Sequence, residues 1–288
     1  MIYVISSEVE RSQKKDFSTQ LTCVRFGRND NLIMNNIRIS VITPSYNQGN
    51  FIEQTIQSVL SQNYPSLEYI VMDGGSTDNT VQILKKYSGK LKWISEKDNG
   101  QSDAINKGLR MATGEIFAWL NSDDYYLPGT LQKVGTYFLQ NKKAQWLTGD
   151  YEIVDENGKQ IQSFVRGYKN ILRSLPFRST LYVANYINQP STFCKSSLLD
   201  QVGYLRESYH LCLDYDLWLR IYKRYPLHTI SSPLSAFRIH SASKGSNKYK
   251  IQFKEELEVA KKNQASPLAL FLHRMHSFLV TQIYKMIK

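Results

Sequence analysis

The sequence predicts an α/β protein of the Rossmann-like type, a three-layer sandwich with a mostly parallel central sheet and a helical C-terminal tail. Three observations support this prediction. From Arg38 onward, short β-branched runs alternate with amphipathic stretches at the spacing of strand–helix units. Each early run ends in a polar loop rich in turn residues. From about residue 246 the apolar residues recur with the period of amphipathic helices.

The elements of the first half can be assigned in chain order. The β-branched run 39–43 is a strand that ends at Pro44, and Asn50 with Glu53 has the spacing of a helix start. A second strand follows at 67–72, and Asp78 can cap the helix after it. A third short strand covers 91–95, and Ser102 can cap the next helix. The apolar run after Gly114 is then a buried strand that leads to a pair of acids.

The second half is less regular. It contains a strand near 145–154, a basic and aromatic stretch to about residue 187, a strand at 192–194 and a helix near 213–225. We therefore divide the chain into an N-terminal extension (1–37), a main domain (38–245, with halves 38–127 and 128–245) and a C-terminal amphipathic segment (246–288).

Composition limits the function classes. The chain has 288 residues, 42% apolar content and a net charge of +11, which favours anionic partners. Its basic residues are dispersed and no nucleic-acid-binding motif accompanies them, so nucleic acid is not expected as a partner. No apolar run reaches the roughly 18 residues that span a bilayer, and no signal peptide is recognisable. Three scattered cysteines favour a reduced, cytoplasmic protein.

Four strand-end loops carry the candidate chemistry. They lie at 43–47, 73–78, 96–103 and 121–124, and the carboxyl ends of parallel strands meet at one edge of a sheet. Asp123 and Asp124 end the fourth run, where two adjacent carboxylates can hold a hard divalent cation and a sugar hydroxyl. The alternative is that they only open the next helix. A Walker A lysine and a Gly-x-Gly-x-x-Gly loop are both missing from the sequence, so ATPase and dinucleotide-binding functions lack support.

Taken in series, four motifs resemble the family 2 glycosyltransferases. They are the sequences VITPSYN (41–47), YIVMDGGSTD (69–78), GQSDAINKG (100–108) and AWLNSDD (118–124), and the resemblance covers roughly residues 38–240. It implies the GT-A fold and an inverting, Mn²⁺- or Mg²⁺-dependent transfer from a UDP-, GDP- or dTDP-sugar. It also implies a glycan or lipid-linked acceptor and, we expect, bacterial surface polysaccharide synthesis.

The resemblance also implies roles for individual residues. Asp124 would hold the metal, with Asp123 on the ribose or the metal's waters. The family most often has two aspartates in the second loop, but this sequence has Asp73 and Gly74. The nucleobase of the donor is therefore not assigned. The other implied nucleotide-sugar ligands are Pro44, Tyr46, Asn47, Asp73, Gln101, Asp103 and Gln189.

The later motifs place the remaining chemistry. The run LDYDLWLR (213–220) resembles the family's acidic helix start, which makes Asp214 the candidate base for the acceptor hydroxyl. Asp216 is instead expected to pair with Arg220 at i, i+4. His240 resembles a late histidine that completes the metal shell or binds the diphosphate with Lys244, although a lone histidine is more often structural.

Two matters stay open at this point. The basic C-terminal helix fits either the cytoplasmic face of a membrane or a packed position on the protein. A nucleotidyltransferase and a catalytically silent glycan- or lipid-binding scaffold are the alternative functions. The first lacks a basic triphosphate loop after the first strand, since Thr43–Gly49 has no Lys or Arg.

Overall fold

The computed structural model describes residues 36–175, 179–241 and 243–287, so nearly all of the predicted extension at 1–37 lies outside the described residues. Within them, eight strands form one sheet in the order β3-β2-β1-β4-β7-β6-β8-β5. The strands are β1 (Ile39–Ser45), β2 (Leu67–Asp73), β3 (Lys92–Ser95), β4 (Ile116–Trp119), β5 (Tyr125–Tyr126), β6 (Trp146–Val154), β7 (Thr192–Lys195) and β8 (His228–Arg238).

The sheet is mixed but mainly parallel. Strands β1 to β4 run parallel to one another, and β6 runs parallel to β8. Strand β7 is antiparallel to both of its neighbours, and β5 is antiparallel to β8. The six predicted strands are confirmed, although β4 ends at Trp119, before the acids. Strands β5 and β8 were not predicted, because neither shows a clear apolar alternation.

Helices cover both faces of the sheet and form the C-terminal region. They are α1 (Ile52–Leu60), α2 (Thr80–Lys86), α3 (Gln101–Met111), α4 (Thr130–Gln140), α5 (Ser163–Ser174), α6 (Thr180–Val183), α7 (Leu198–Val202), α8 (Leu213–Tyr222), α9 (Lys244–Lys262) and α10 (Pro267–Ile287). A short 3₁₀ turn, Gln189–Ser191, precedes β7. The helical C-terminal tail is confirmed, and it is two helices rather than one.

Three helix starts differ from the sequence prediction. The N-cap of α2 is Asn79 rather than Asp78, although Asp78 Oδ1 accepts the N–H of Thr80 at 2.9 Å. The N-cap of α1 is Phe51 rather than Asn50, and no side chain bonds the first turn. The carbonyl of Gln48 accepts the N–H groups of both Phe51 and Ile52, so backbone bonds replace the expected side-chain cap. Helix α3 begins at Gln101, one residue before Ser102, because Gly100 adopts a positive φ of 111° at the cap.

The sheet separates two apolar cores. Alternate residues of β1 point to opposite faces, with Val41 in the core beneath α1 and α4 and Ile42 in the core beneath α3 and α8. Gly108 lets α3 approach β1 closely, since a Cβ there would lie 2.6 Å from a methyl carbon of Ile42. This close packing fixes the N-terminus of α3 relative to the end of β1.

Three buried tryptophans link helix α8 to the sheet. Trp218 of α8 stacks on Trp119 of β4, with ring centroids 5.3 Å apart, and on Trp146 of β6 at 5.8 Å. Trp119 lies four residues before Asp123, and Trp218 lies one helical turn after Asp214. Aromatic packing therefore holds the two acidic segments in a fixed relation.

Candidate functional site

The first two loops are tied together at the carboxyl edge of the sheet. Tyr46 follows β1 with its side chain exposed, whereas Pro44 is buried within the strand. Asn47 has a positive φ of 52°. Its side-chain oxygen accepts the N–H of Thr77 at 2.8 Å, and its own N–H donates to Ser76 Oγ at 2.7 Å. Asn47 thus shapes the loops, and Tyr46 is free to contact a ligand.

Asp73 organises the second loop through bonds to neighbouring hydroxyls. It accepts the N–H and hydroxyl of Ser76 at 2.9 and 2.5 Å, and the hydroxyl of Ser95 at 2.6 Å. Next to it, a Cβ on Gly74 would lie only 2.6 Å from Asp98 Oδ2. The carboxylate of Asp98 therefore fills the space where a side chain at position 74 would begin. Sequence reasoning missed Asp98, although its place in an Asp-Asn-Gly turn after β3 was a usable signal.

Asn121 is the centre of a network that joins three of the predicted site segments. Its side-chain oxygen accepts Gln101 Nε2–H at 2.8 Å. Its amide group donates to Asp124 Oδ2 at 3.1 Å and to Gln189 Oε1 at 3.2 Å. Gln189 in turn donates to the carbonyl oxygen of Trp119 at 2.5 Å. The network thus brings together Gln101 and Asp124, from two of the four predicted strand-end loops, and Gln189, which only the family resemblance implied.

Asp124 is enclosed by the protein. Its side chain is 0% exposed, and Oδ1 accepts the backbone N–H of Arg238 at 2.9 Å. Its backbone carbonyl accepts the Thr55 hydroxyl at 2.7 Å. Burial, with the nearby charge of Asp123, raises the pKa of Asp124 well above its usual range. Asp124 is thus bonded inward on both carboxylate oxygens.

Asp123 faces outward beside His240. Its side chain is 24% exposed, and Oδ2 lies 3.1 Å from His240 Nε2. The histidine is held by the ring of Phe51, 4.5 Å away between centroids, and by the Ser243 hydroxyl, which accepts its backbone N–H at 2.9 Å. Arg238 Nε–H donates to the carbonyl oxygen of Asp123 at 2.8 Å and so holds the loop that carries the two acids.

The carboxylate is of the ligand type that suits Mn²⁺ or Mg²⁺, and the imidazole in contact with it can add a nitrogen ligand. Among residues 36–175, 179–241 and 243–287, no three His, Cys, Asp or Glu side chains form a metal-binding group. The pair of Asp123 and His240 would therefore need further ligands from a substrate. Nucleotide diphosphate oxygens are ligands of that kind.

Asp103 is engaged within its own helix. It accepts the N–H of Asn99 at 3.0 Å and pairs with Lys107 at 3.4 Å. The Asn99 bond is the main cause that lowers the pKa of Asp103 below its usual value. Its carboxylate shapes the loop before α3, whereas Gln101 at the start of the helix reaches the network around Asn121.

The two acids of helix α8 have different surroundings. Asp216 is fully buried and accepts from Arg206 at 2.8 Å, Arg220 at 2.9 Å and Asn263 at 3.1 Å. The predicted pairing of Asp216 with Arg220 is confirmed. Asp214 is half-buried at the first turn, where burial raises its pKa although Lys169 and Asn185 oppose the shift.

The charges around Asp214 come from two helices that the sequence did not bring to this site. Lys169 belongs to α5 and Glu256 to α9, and each interacts electrostatically with Asp214. Burial raises the pKa of Glu256 to about 7, with Asp214 contributing in the same direction. Burial lowers the pKa of Lys169. Helix α9 also clamps the preceding turn, since Glu255 accepts the N–H groups of His210 and Leu211 at 2.9 and 2.7 Å.

A small cavity of about 80 Å³ lies between the start of α3 and the turn that leads to α8. Its lining includes Gly100 and Gln101 on one side and Tyr209 and Leu213 on the other. The helix start that carries Asp214 therefore borders the loop that carries Gln101. A larger cavity, about 370 Å³, lies near the end of α3 and the start of α7, and none of the predicted site residues lines it.

Comparisons with known proteins indicate the family and the fold of the chain. The family model described as glycosyl transferase family 2 matches residues 40–203. An uncharacterized glycosyltransferase of Rickettsia conorii is 30% identical over 213 residues, which are 73% of this chain and 35% of that protein. The chain thus spans about a third of that relative. The Escherichia coli UDP-Glc:alpha-D-GlcNAc-diphosphoundecaprenol beta-1,3-glucosyltransferase WfgD is 28% identical over 255 residues, 86% of this chain and 94% of that protein.

A solved structure shares the fold. The mannosyltransferase PcManGT of Pyrobaculum calidifontis, in complex with GDP-Man and Mn²⁺, gives a TM-score of 0.67 at 20% identity, covering 85% of this chain and 70% of that one. This similarity confirms the predicted GT-A-type architecture.

Proposed function

Since this chain belongs to glycosyl transferase family 2, we propose that it transfers a sugar from a nucleotide-diphosphate donor to an acceptor hydroxyl with inversion at the anomeric carbon. The observation that supports this best is the contact of Asp123 with His240 at the carboxyl edge of the sheet. The half-buried Asp214 lies on a helix whose start borders the same edge. A cation-binding pair and a separate base are the two parts that such a transfer needs.

The donor is proposed to lie across the loops after β1, β2 and β3. Tyr46 is exposed there and can stack on a base, while Asn47 and Asp73 hold the loops in shape. Asp98 offers a carboxylate beside Gly74, and we propose it as a hydrogen-bond acceptor for the base or ribose. Pro44 and Asp103 would act only through the backbone conformation of these loops.

The metal ligands are proposed to be Asp123 and His240 rather than Asp124. The carboxylate of Asp124 already accepts from Arg238 and Asn121, and it has no exposed surface. Asp123 keeps part of its surface open and touches the imidazole. When bound, Mn²⁺ or Mg²⁺ would neutralise the charge of the departing diphosphate. Asp124 would hold the loop so that Asp123 faces outward.

Asp214 is proposed as the base that accepts the proton of the acceptor hydroxyl. Its raised pKa suits proton transfer near neutral pH better than an unperturbed carboxylate would. Lys169 lies close enough to stabilise the ionised form. Gln189, bonded to Asn121 and to the end of β4, would orient the sugar between the metal side and the base.

The acceptor is proposed to be a glycan or a lipid-linked sugar of a bacterial cell-surface polysaccharide, handled at the cytoplasmic face of the membrane. The name of WfgD, with its diphosphoundecaprenol acceptor, supports this class, as does a putative teichuronic acid biosynthesis glycosyltransferase of Bacillus subtilis among the relatives. A nucleotidyltransferase is less well supported, since the loop after β1 contains no basic residue.

A thermal-shift screen of UDP-, GDP- and dTDP-sugars with Mn²⁺ tests the proposal. A ligand that binds only the native state raises the melting temperature, so one nucleotide class should stabilise the protein in a metal-dependent way. The Asp123→Asn variant should lose that shift. A protein that none of these donors stabilises would contradict the proposed function, and a shift that EDTA leaves unchanged would contradict the metal assignment.

A further inference from the structure

A surface helix normally turns its apolar side toward the protein, but helix α5 does the opposite. Its polar side faces the protein, where Arg166 forms an ion pair with Asp150 at 2.5 Å and Asn170 donates to the same carboxylate at 3.1 Å. Burial by itself would raise the pKa of Asp150, but the hydrogen bonds from Arg166 hold that pKa below its usual range. Arg173 donates to the Gly149 carbonyl at 2.8 Å. The charged side of α5 is thus its anchor.

The outer side of α5 is apolar. Phe164, Tyr168, Ile171 and Leu175 follow one another at spacings of four, three and four residues, so they form one stripe. All four are exposed, with Phe164 at 62% and Ile171 at 63%. Ordinary surface helices turn such a stripe inward, because burying it is favourable. Exposing an apolar stripe to water is unfavourable, so hydration does not explain this orientation.

Helix α10 shows the same orientation. Its inward residues include Ala269 and His273, and the His273 ring bonds to the carbonyl of Tyr182 at 2.9 Å. Its outward stripe consists of Leu268, Phe271, Leu272, Met275, Phe278 and Leu279, all of them exposed. Contiguous exposed apolar surface of this kind marks an interaction site.

The two stripes belong to adjacent helices. The Tyr168 ring of α5 stacks on the His276 ring of α10, with centroids 6.0 Å apart and an interplanar angle of 11°. Helix α10 also packs against α6 and α9. We call the two stripes together the apolar face. None of the described helices is both long enough and apolar enough to cross a membrane.

Positive charge in the segments that carry the apolar face favours an anionic partner. No Asp or Glu occurs between Glu156 and Asp200, and none follows Glu258. Both segments carry lysines and arginines; those of α5 face inward, whereas Arg274 of α10 and Lys262 of α9 are exposed. A second copy of the chain would bring the same positive charge against this face, which is unfavourable in a symmetric dimer. Anionic lipid headgroups supply the opposite charge, and acyl chains accept the apolar side chains.

We propose that the apolar face of α5 and α10 docks on the surface of an anionic phospholipid bilayer. Lys169, on the inward side of α5, interacts electrostatically with Asp214. The proposed base would then lie about one helix diameter, roughly 10 Å, from the bilayer surface. If the proposed function holds, this placement selects a lipid-linked acceptor over a soluble glycan.

Vesicle co-sedimentation of the full chain tests the docking independently of catalysis. The protein should bind vesicles that contain phosphatidylglycerol, bind phosphatidylcholine vesicles much less, and bind less at high salt. The paired changes Ile171→Gln and Phe271→Gln should lower the partition coefficient at least about tenfold, since apolar burial drives interfacial binding. The control Met111→Gln alters an exposed apolar residue outside the apolar face and should bind as the wild type does.

Several results would overturn the proposal. They are a wild type that binds neither vesicle, equal binding to both vesicle types, and unchanged binding of the paired variant. A stable dimer of the wild type in sedimentation velocity would also overturn it, if the wild type bound no vesicles and the paired variant were monomeric. The apolar face would then be a contact between two copies of the chain. The thermal shift with a nucleotide sugar should be unchanged in the paired variant, so loss of docking and failure of the proposed function are separable.

Discussion

The two acids of helix α8 give the sharpest contrast between a structural and a catalytic carboxylate. Asp216 is fully buried and satisfies donors on both oxygens: Arg206 and Asn263 on Oδ1, and Arg220 on Oδ2. In Asp216→Asn, one oxygen is replaced by an NH₂ group, so in either orientation one set of donors faces another donor. Losing one member of a buried ion pair costs about 3–5 kcal/mol.

That cost sets the expected thermal shift. At about 2–4 °C per kcal/mol for a protein of this size, Asp216→Asn should lower the melting temperature by roughly 6–20 °C. Differential scanning calorimetry would measure it. The exposed Asp200 on α7 is a matched control, because Asp200→Asn removes a charge without removing a buried partner and should leave the melting temperature nearly unchanged.

Asp214→Asn should behave in the opposite way. Burial raises the pKa of Asp214, so the folded state disfavours its charged form, and a neutral side chain should keep or increase stability at neutral pH. Turnover should fall about 10²- to 10⁴-fold, the range for loss of a general base. Normal turnover by Asp214→Asn would refute the assignment, and a stable but inactive Asp216→Asn would point to Asp216 instead.

Three further predictions concern charge and pH. Asp123→Asn should abolish Mn²⁺-dependent donor binding in calorimetric titration, with Asp124→Asn weakening stability more than metal binding; the reverse pattern would contradict the proposed ligand. Glu68, bonded to Ser40, Thr113 and Lys92, has a pKa of about 2 rather than 4.5, so the stability it contributes is present above pH 4.5 and lost as the pH falls toward 2. The loss is about 3 kcal/mol, and in Glu68→Gln the unfolding free energy should lose this acid dependence in urea titrations. Glu256→Gln removes a negative charge that forms near pH 7 beside Asp214, so the rising limb of the pH–rate profile should shift to lower pH; an unmoved limb would show that Glu256 does not tune the base.

The sequence predicted the framework of the site because its determinants are local. Strands β1 and β2 are β-branched runs that end in turn residues, and the carboxyl-edge rule then brings their loops together. The same rule placed Gln101 near the acids, whereas Gln189 was placed in the sugar site by the family resemblance, and both residues bond to Asn121. The pairing of Asp216 with Arg220 depended only on helical spacing.

The rest depends on contacts between distant segments. Which of two adjacent acids faces outward is decided by Arg238, which lies 114 positions after Asp124 and donates its N–H to that carboxylate. The carboxylate beside Gly74 comes from Asp98 on a different loop. Helix α5 was not predicted, because its charged side is the one that faces the protein, so its pattern does not indicate which side is the core. Pattern rules assume that apolar residues face inward, and here that assumption fails.

The release of nucleoside diphosphate from the donor identified by thermal shift tests the central claim most directly. It would be measured with a lipid extract as acceptor, with and without EDTA, for the wild type and for Asp214→Asn. We expect release that EDTA abolishes, that Mn²⁺ restores and that Asp214→Asn lowers at least about a hundredfold. Release that is equal in the variant, or equal with EDTA, would contradict a metal-assisted transfer with Asp214 as its base.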